Sequence, residues 1–178
     1  CCLSSLNLEY FDDWKNDKHF ISDVAEMLDN VLQYFIDNAP DAISKARFSA
    51  SQERSIGVGA LGFHAYLQKS KLPFESALAK SANMRMFKHI KRELDSANSE
   101  LAAKRGPCPD AAKSGLNLRF SHTMAVAPNA SSSLIMGNTS PSIEPYRANV
   151  FRQDTLSGAS VHKNRFLDKI LQEKCSQL

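Results

Sequence analysis

Two long helical stripes with a short apolar strand between them limit most strongly what this chain can fold into. Apolar residues follow helical spacing from Phe20 to Ile36, and again from Leu78 to Leu101. Between these stripes, Ile56–Gly59 predicts a short strand whose glycines permit close packing against other backbone. The apolar run at 123–127 predicts another strand, which Pro128 ends. Strands that alternate with helices indicate an α/β fold.

The rest of the chain is predicted to form shorter elements and loops. The two helical stripes are expected to be core, because charged residues mostly occupy their other faces. In the first half of the chain we predict a strand over 1–11 with a polar exit at Asp12-Asp13, a loop or short helix over 41–55, and a short helix around His64 and Tyr66. In the second half we predict a loop over 108–121 with a turn at Gly115, irregular or extended chain over 146–158, and a final helix from about 162–164.

Composition argues against several classes of protein. A net charge of +3, with acids and bases interspersed, provides no basic tract for nucleic acid. No apolar run approaches the roughly 20 residues of a membrane span. The four cysteines are Cys1, Cys2, Cys108 and Cys175, and none has zinc-site spacing. We therefore expect a reduced, cytoplasmic protein that binds neither nucleic acid nor membrane and holds no metal.

The stretch after Pro128 is the strongest candidate for a binding site. A polar stretch lies between a predicted strand and a predicted helix start at Leu134-Ile135-Met136, and it consists of Asn129, Ala130, Ser131, Ser132 and Ser133. The first turn of a helix has unpaired N–H groups, and serine hydroxyls can donate to phosphate oxygens. This arrangement indicates an anion site, although a plain helix cap with a polar loop has the same local pattern.

A Gly-x-Gly-x-x-Gly pattern at Gly57, Gly59 and Gly62 has a second interpretation as a dinucleotide fingerprint. The surrounding strand–helix–strand unit with a later ribose-binding acid is missing, so we favour a packing role for these glycines. Taken alone, the chain has no evident catalyst, because no nucleophile elbow or metal constellation is present.

Several motifs, in one order, resemble the large subunit of ribonucleotide reductase. Residues 1–8, CCLSSLNL, are similar to the family's C-[NT]-L-x-S-[IL]-N-L, and residues 56–63 to its I-G-[VL]-G-x-x-G. Pro73-Phe74-Glu75-Ser76 before the long helix and Arg105-Gly106-Pro107 after it also match. The run from Pro128 to Tyr146, PNASSSLIMGNTSPSIEPY, resembles the family's phosphate turn and its G-N-x-[ES]-x-[SG]-I-E-P sequel.

The resemblance implies a fold and a set of roles. The fold would be part of a ten-stranded α/β barrel, with 1–178 a single helix-rich segment of the catalytic domain, incomplete at both ends. Asn129 to Ser133 would hold the diphosphate of a ribonucleoside diphosphate. Cys1 would be one of the two redox cysteines that reduce the ribose after a thiyl radical abstracts its 3′ hydrogen. Cys2 stands where the family usually has Asn or Thr, which leaves open which thiol reacts.

The resemblance also implies partners, because the family's radical cysteine motif N-x-C-x-E is missing from this chain. The first redox cysteine, the radical-transfer tyrosines and the regulatory regions are missing too. We therefore expect an oxidoreductase that works only with the remainder of the large subunit and a metal-containing small subunit. Electrons would come from a thioredoxin- or glutaredoxin-type dithiol, and the chain alone would bind no cofactor and be inactive. The cobalamin-dependent class of the family stays open.

A hypothesis from a different class is a stand-alone phosphate- or nucleotide-binding module without redox activity. The two hypotheses differ at Cys1, which lies in a Leu3-Ser5-Asn7-Leu8 frame that a binding module does not need.

Overall fold

The computed structural model describes residues 2–155 and 158–176. The helices are α1 (Phe11–Trp14), α2 (Phe20–Asn38), α3 (Ser44–Glu53), α4 (Phe63–Lys69), α5 (Ala77–Arg105), α6 (Pro109–Lys113), α7 (Ala130–Ile135) and α8 (Arg165–Cys175). The strands are β1 (Cys2–Asn7), β2 (Ile56–Leu61), β3 (Val150–Thr155) and β4 (Gly158–Lys163), and Leu8–Tyr10 and Asp41–Ile43 form 3-10 turns.

A parallel pair of strands lies at the centre of the fold. β1 and β2 pair along their whole length, from Cys2 opposite Ile56 to Asn7 opposite Leu61. Parallel strands need a crossover connection, and here α2 and α3 supply it. The strands therefore end at the same edge, which places the segments that follow Asn7 and Leu61 side by side.

The predicted helices α2 and α5 are confirmed, and both pack into one core with the parallel pair. The side chain of Ser76 caps α5 by accepting from the Ala79 N–H, and Gly106 follows its last residue. The buried stripes are narrower than predicted, since Met27, Val31 and Leu78 are about half exposed or more. Each directly precedes a buried residue, which places it about 100° around the helix from the core. The buried apolar positions are Ile21, Ala25, Leu28 and Leu32 on α2, and Ala79, Ala82, Met86, Ile90, Leu94, Ala97, Leu101 and Ala102 on α5.

The predicted strand over 123–127 is wrong in extent. The Val58 N–H donates to Thr123 and the Ala125 N–H to Val58, but regular pairing is limited to one bridge at Met124. The Ala125 carbonyl oxygen lies 2.3 Å from where a Cβ on Gly59 would stand. The chain thus crosses closely over Gly59, and this close packing is the role we predicted for that glycine.

Other boundaries also differ from the prediction. The helix predicted to start at Leu134 begins at Ala130, so the three serines lie in its first turns. β1 ends at Asn7, because the Asn7 side chain accepts from the Glu9 N–H and starts a 3-10 turn. The predicted loop over 108–121 contains α6, with Pro109 in its first turn. The final helix begins at Arg165, with Asn164 as the capping residue.

A buried carboxylate joins the helices at one side of the core. Asp29 of α2 is fully buried and bonds three guanidinium groups, those of Arg54, Arg105 and Arg119. Burial alone would raise the pKa of Asp29, but hydrogen bonds from Arg119, Arg54 and Arg105 outweigh it and lower that pKa. The cluster links α2 to the ends of α3 and α5 and to the segment before Phe120. No sequence motif predicted it.

β3 and β4 form an antiparallel hairpin that leads into α8. The hairpin ends are joined by two asparagines, since the Asn164 N–H donates to the Asn149 carbonyl at 2.7 Å.

No helix within the described ranges is long and apolar enough to cross a membrane.

Candidate functional site

The serine-rich turn lies at the carboxyl end of the parallel strands. The segment that follows α7 is bonded into this edge: the Gly62 N–H donates to the Ser140 carbonyl at 2.8 Å. The Asn129 N–H donates to the Pro141 carbonyl at 2.9 Å, which ties the start of α7 to the same segment. Sites in α/β proteins form outside the carboxyl ends of parallel strands, so the predicted turn is in the position that the fold favours.

The front of the turn presents polar groups to solvent. Ala130, Ser131 and Ser132 are exposed, and none of their backbone N–H groups donates to a carbonyl within the described residues. The hydroxyls of Ser131 and Ser132 likewise have no hydrogen-bond partner in this part of the chain. Three N–H groups and two hydroxyls of the turn are therefore not engaged by other described residues.

The other two predicted residues of the turn are engaged in shaping it. Ser133 is 4% exposed, and its hydroxyl donates to the Ala130 carbonyl at 3.0 Å. The side-chain amide of Asn129 donates to the Ala127 carbonyl at 2.7 Å. Their side chains fix the local backbone, while Ser131 and Ser132 face outward.

A cavity of about 580 Å³ adjoins the turn. α7 and the segment after it form one wall, and the strand β3 forms another. Arginine and acidic side chains both line it, and Arg152 donates to Asp154 at 2.9 Å. The lining includes Ala130, Ser133, Asn138, Tyr146, Arg147 and Arg152.

Tyr146 and His64 hold the far end of the segment that follows α7. The Tyr146 hydroxyl donates to the Asn138 carbonyl at 2.9 Å, and the Tyr146 N–H donates to Nδ1 of His64 at 3.2 Å. Burial raises the pKa of Tyr146 to about 12, so the phenol keeps its proton and remains a donor at neutral pH. Burial also lowers the pKa of His64, which favours the neutral imidazole that can accept this bond.

The dinucleotide interpretation of the three glycines finds no support in the geometry. The N–H groups at the start of α4 are already used, because Gly62 and Phe63 donate to the carbonyls of Ser140 and Ser142. The Ala65 N–H donates to the Ser140 hydroxyl at 3.1 Å. A cofactor phosphate would have to displace these bonds, so the geometry favours a packing role for the glycines.

The cysteines are dispersed. Cys1, the predicted redox residue, lies outside the described residues. Cys2 packs against the core beside α2 and α3, Cys108 is buried and Cys175 is exposed. No group of three or more His, Cys, Asp or Glu side chains that could hold a metal occurs in the described part of the chain.

The ion pair between Glu9 and Arg165 is not predicted by any of the sequence motifs. Glu9, directly after β1, is 5% exposed and forms an ion pair with Arg165 at the start of α8. The two residues are 156 positions apart, so no local pattern signals the pair.

Together, the fold and the turn define a parallel α/β unit with a serine-rich turn at the carboxyl ends of its strands. Residues 1–117 and 110–177 match the family model of the ribonucleotide reductase barrel domain. The chain belongs to this family.

Relatives of known kind agree with this assignment. The ribonucleoside-diphosphate reductase large subunits of invertebrate iridescent virus 3 and invertebrate iridescent virus 6 are 54% and 55% identical over 174 residues. Each match covers 98% of this chain, but only 27% and 18% of the respective relative. The class Id ribonucleotide reductase alpha subunit of Actinobacillus ureae has a TM-score of 0.86 at 36% identity, covering 98% of this chain and 31% of that one. The chain thus spans less than a third of the length of each of these proteins.

Proposed function

We propose that this chain is one segment of the catalytic barrel of a ribonucleoside-diphosphate reductase and that it supplies the substrate phosphate turn and one redox thiol. The observation that carries the proposal is the position of the turn. It lies at the carboxyl edge of a parallel strand pair, with free donors, in a chain of the reductase family.

The turn binds the diphosphate of the substrate through its outward groups. The N–H groups of Ala130, Ser131 and Ser132 and the hydroxyls of the two serines donate to phosphate oxygens. Hydrogen bonds to a charged acceptor are about twice as strong as those between neutral groups, so a few suffice to orient the nucleotide. Asn129 and Ser133 hold the turn in shape through their bonds to Ala127 and Ala130.

Cys1 provides one of two thiols that reduce the ribose. Two thiols lose two electrons and two protons to the substrate and become a disulfide, and a thioredoxin- or glutaredoxin-type dithiol then restores them. The second thiol belongs to the remainder of the large subunit, and the radical comes from a metal-containing small subunit.

The packing of Cys2 argues against Cys2 as the reacting thiol. Cys2 and Leu6 pack on the core side of β1, whereas Leu3 is 55% exposed on the opposite side. A thiol that packs against the core is poorly placed to meet substrate, and the register of the CCLSSLNL motif assigns the role to Cys1.

The experiment replaces Ser131 and Ser132 together with Ala in the assembled reductase and measures the dissociation constant of the nucleoside diphosphate. We expect binding to weaken by about 1–3 kcal/mol, the usual loss for hydrogen bonds to a charged group. Ser99→Ala, at an exposed serine of α5, is the control and should bind normally. Unchanged affinity in the double variant contradicts the assignment of the turn.

A second measurement, nucleotide binding by the isolated chain, separates the alternative of a stand-alone phosphate-binding module. Such a module would bind nucleotide through the turn in the isolated chain, without partners and without any redox step. The Cys1 frame and the family match over 1–177 support the reductase segment instead.

A further inference from the structure

The buried carboxylate of Glu9 is held by one guanidinium group. Glu9 is 5% exposed, and both of its carboxylate oxygens accept from Nη2 of Arg165. Its backbone N–H is occupied by the side chain of Asn7, the last residue of β1. A buried carboxylate is costly unless it is paired, so the Glu9 side chain constrains where Arg165 can be.

Arg165 contacts a second element with its other nitrogen. Nη1 donates to the Gly137 carbonyl at 2.9 Å, just beyond the end of α7. Gly137 has a φ of +83°, a left-handed conformation that ends the helix. One planar guanidinium thus joins the end of β1, the end of α7 and the start of α8, a use for which lysine has no equivalent geometry.

The contact bears directly on the turn because α7 is only six residues long. The Thr139 N–H donates to the Ser133 carbonyl at 3.1 Å, and the Asn129 N–H to Pro141. The helix therefore moves as a unit with the segment that follows it. A shift at Gly137 is transmitted to Ser131 and Ser132, less than two helical turns away.

We propose that Arg165 is a positioning residue for substrate binding, which fixes the phosphate turn against the carboxyl end of β1 by bridging Glu9 and Gly137. The inference rests on the proposed function of the turn. Arg165 contacts no substrate in this scheme; it sets the place of the groups that do.

The test measures KM and kcat for a nucleoside diphosphate in the assembled reductase. Arg165→Ala should raise KM about tenfold, the size expected for one lost charge-assisted contact, with kcat at saturating substrate within about twofold of wild type. Arg165→Lys keeps the charge beside Glu9 but lacks the fork that also reaches Gly137, so it should recover only a small part of the loss in KM. The double variant Glu9→Gln, Arg165→Ala should match Arg165→Ala alone, because both changes break one bridge.

The control is Arg92→Ala, which removes an exposed arginine of α5 that pairs with the neighbouring Glu93. It should leave both constants unchanged. If Arg165→Ala does not yield folded protein, Glu9→Gln alone tests the same bridge, because it removes the negative charge that Arg165 pairs with. It should also raise KM.

An unchanged KM in the Arg165→Ala protein overturns the inference, whether or not kcat falls. Its failure is distinct from that of the proposed function. If the Ser131 and Ser132 double variant loses affinity while the Arg165 and Glu9 variants do not, the turn binds substrate and Arg165 does not position it. If the serine variant keeps its affinity, the proposed function itself is wrong.

Discussion

The carbonyl oxygen of Ala125 lies directly over the Cα of Gly59, so close that a Cβ at residue 59 would stand 2.3 Å from it. The Ser5 hydroxyl would lie 3.2 Å from the same Cβ. Backbone fills this space on one side, and backbone cannot move as the tip of a side chain can. The contact fixes the segment that leads into the phosphate turn against the centre of β2.

We expect Gly59→Ala to destabilise the folded protein by about 1–3 kcal/mol, the usual result of overpacking a core. Affinity for substrate should fall as well, because the displaced segment leads into residues 128–132. The measurements are the apparent melting temperature of the assembled subunit and the substrate dissociation constant.

The matched control is Gly115→Ala, at a glycine with a φ of +71° and nothing within 4 Å of its Cβ position. This variant should be destabilised only by the strain of a left-handed backbone, about 1 kcal/mol, and should bind substrate normally. If the two variants have equal effects on stability and binding, the Ala125 contact does not matter.

Asp29→Asn should be far more damaging than the loss of an exposed carboxylate. It leaves the buried guanidinium groups of Arg54 and Arg119 without their anion, while Arg105 keeps its pair with Glu26, and breaking a buried pair costs about 3–5 kcal/mol. Asp95→Asn, which removes the exposed partner of Lys91, should cost no more than about 0.5 kcal/mol. Comparison of apparent melting temperatures provides the test.

The same cluster predicts a dependence on pH. The pKa of Asp29 is lower in the folded protein than its ordinary value of 3.8. Its contribution to stability is therefore complete above pH 3.8 and is lost as the pH falls toward the folded pKa. Wild type should lose stability in this acidic range more steeply than Asp29→Asn, and parallel curves would contradict the cluster's role.

The redox assignment predicts different behaviour for two adjacent cysteines. Cys1→Ser should abolish sustained turnover with a dithiol reductant, because no disulfide can form with the second thiol. Substrate should still bind, because the proposed contacts to its diphosphate are made by residues 130–132 and not by Cys1. Cys2→Thr should leave turnover nearly unchanged, because the Cys2 side chain packs against the core and does not take part in the reaction.

Mass spectrometry of peptides after one turnover identifies the oxidised cysteine. We expect a disulfide at Cys1 and a reduced Cys2. A disulfide mapped to Cys2, or full activity of Cys1→Ser, would show that the register or the role is wrong.

The amino-acid sequence alone determined the long helices, the α/β class of fold and the residues of the serine-rich turn. These features depend on interactions within a few residues: the 3.6-residue period of α2 and α5, the cap at Ser76 and the strand break at Pro128. Several motifs in a fixed order along the chain also carry the resemblance to the reductase family.

Only the tertiary structure decided which polar groups meet. Asp29 gathers arginines 25, 76 and 90 positions away, and Glu9 pairs across 156 positions with Arg165. The predicted strand over 123–127 stops short for a similar reason, since its pairing depends on how closely it crosses Gly59. Local propensity is carried by neighbouring residues, whereas burial, charge pairing and strand contacts depend on the folded path, which brings together side chains that no local pattern connects.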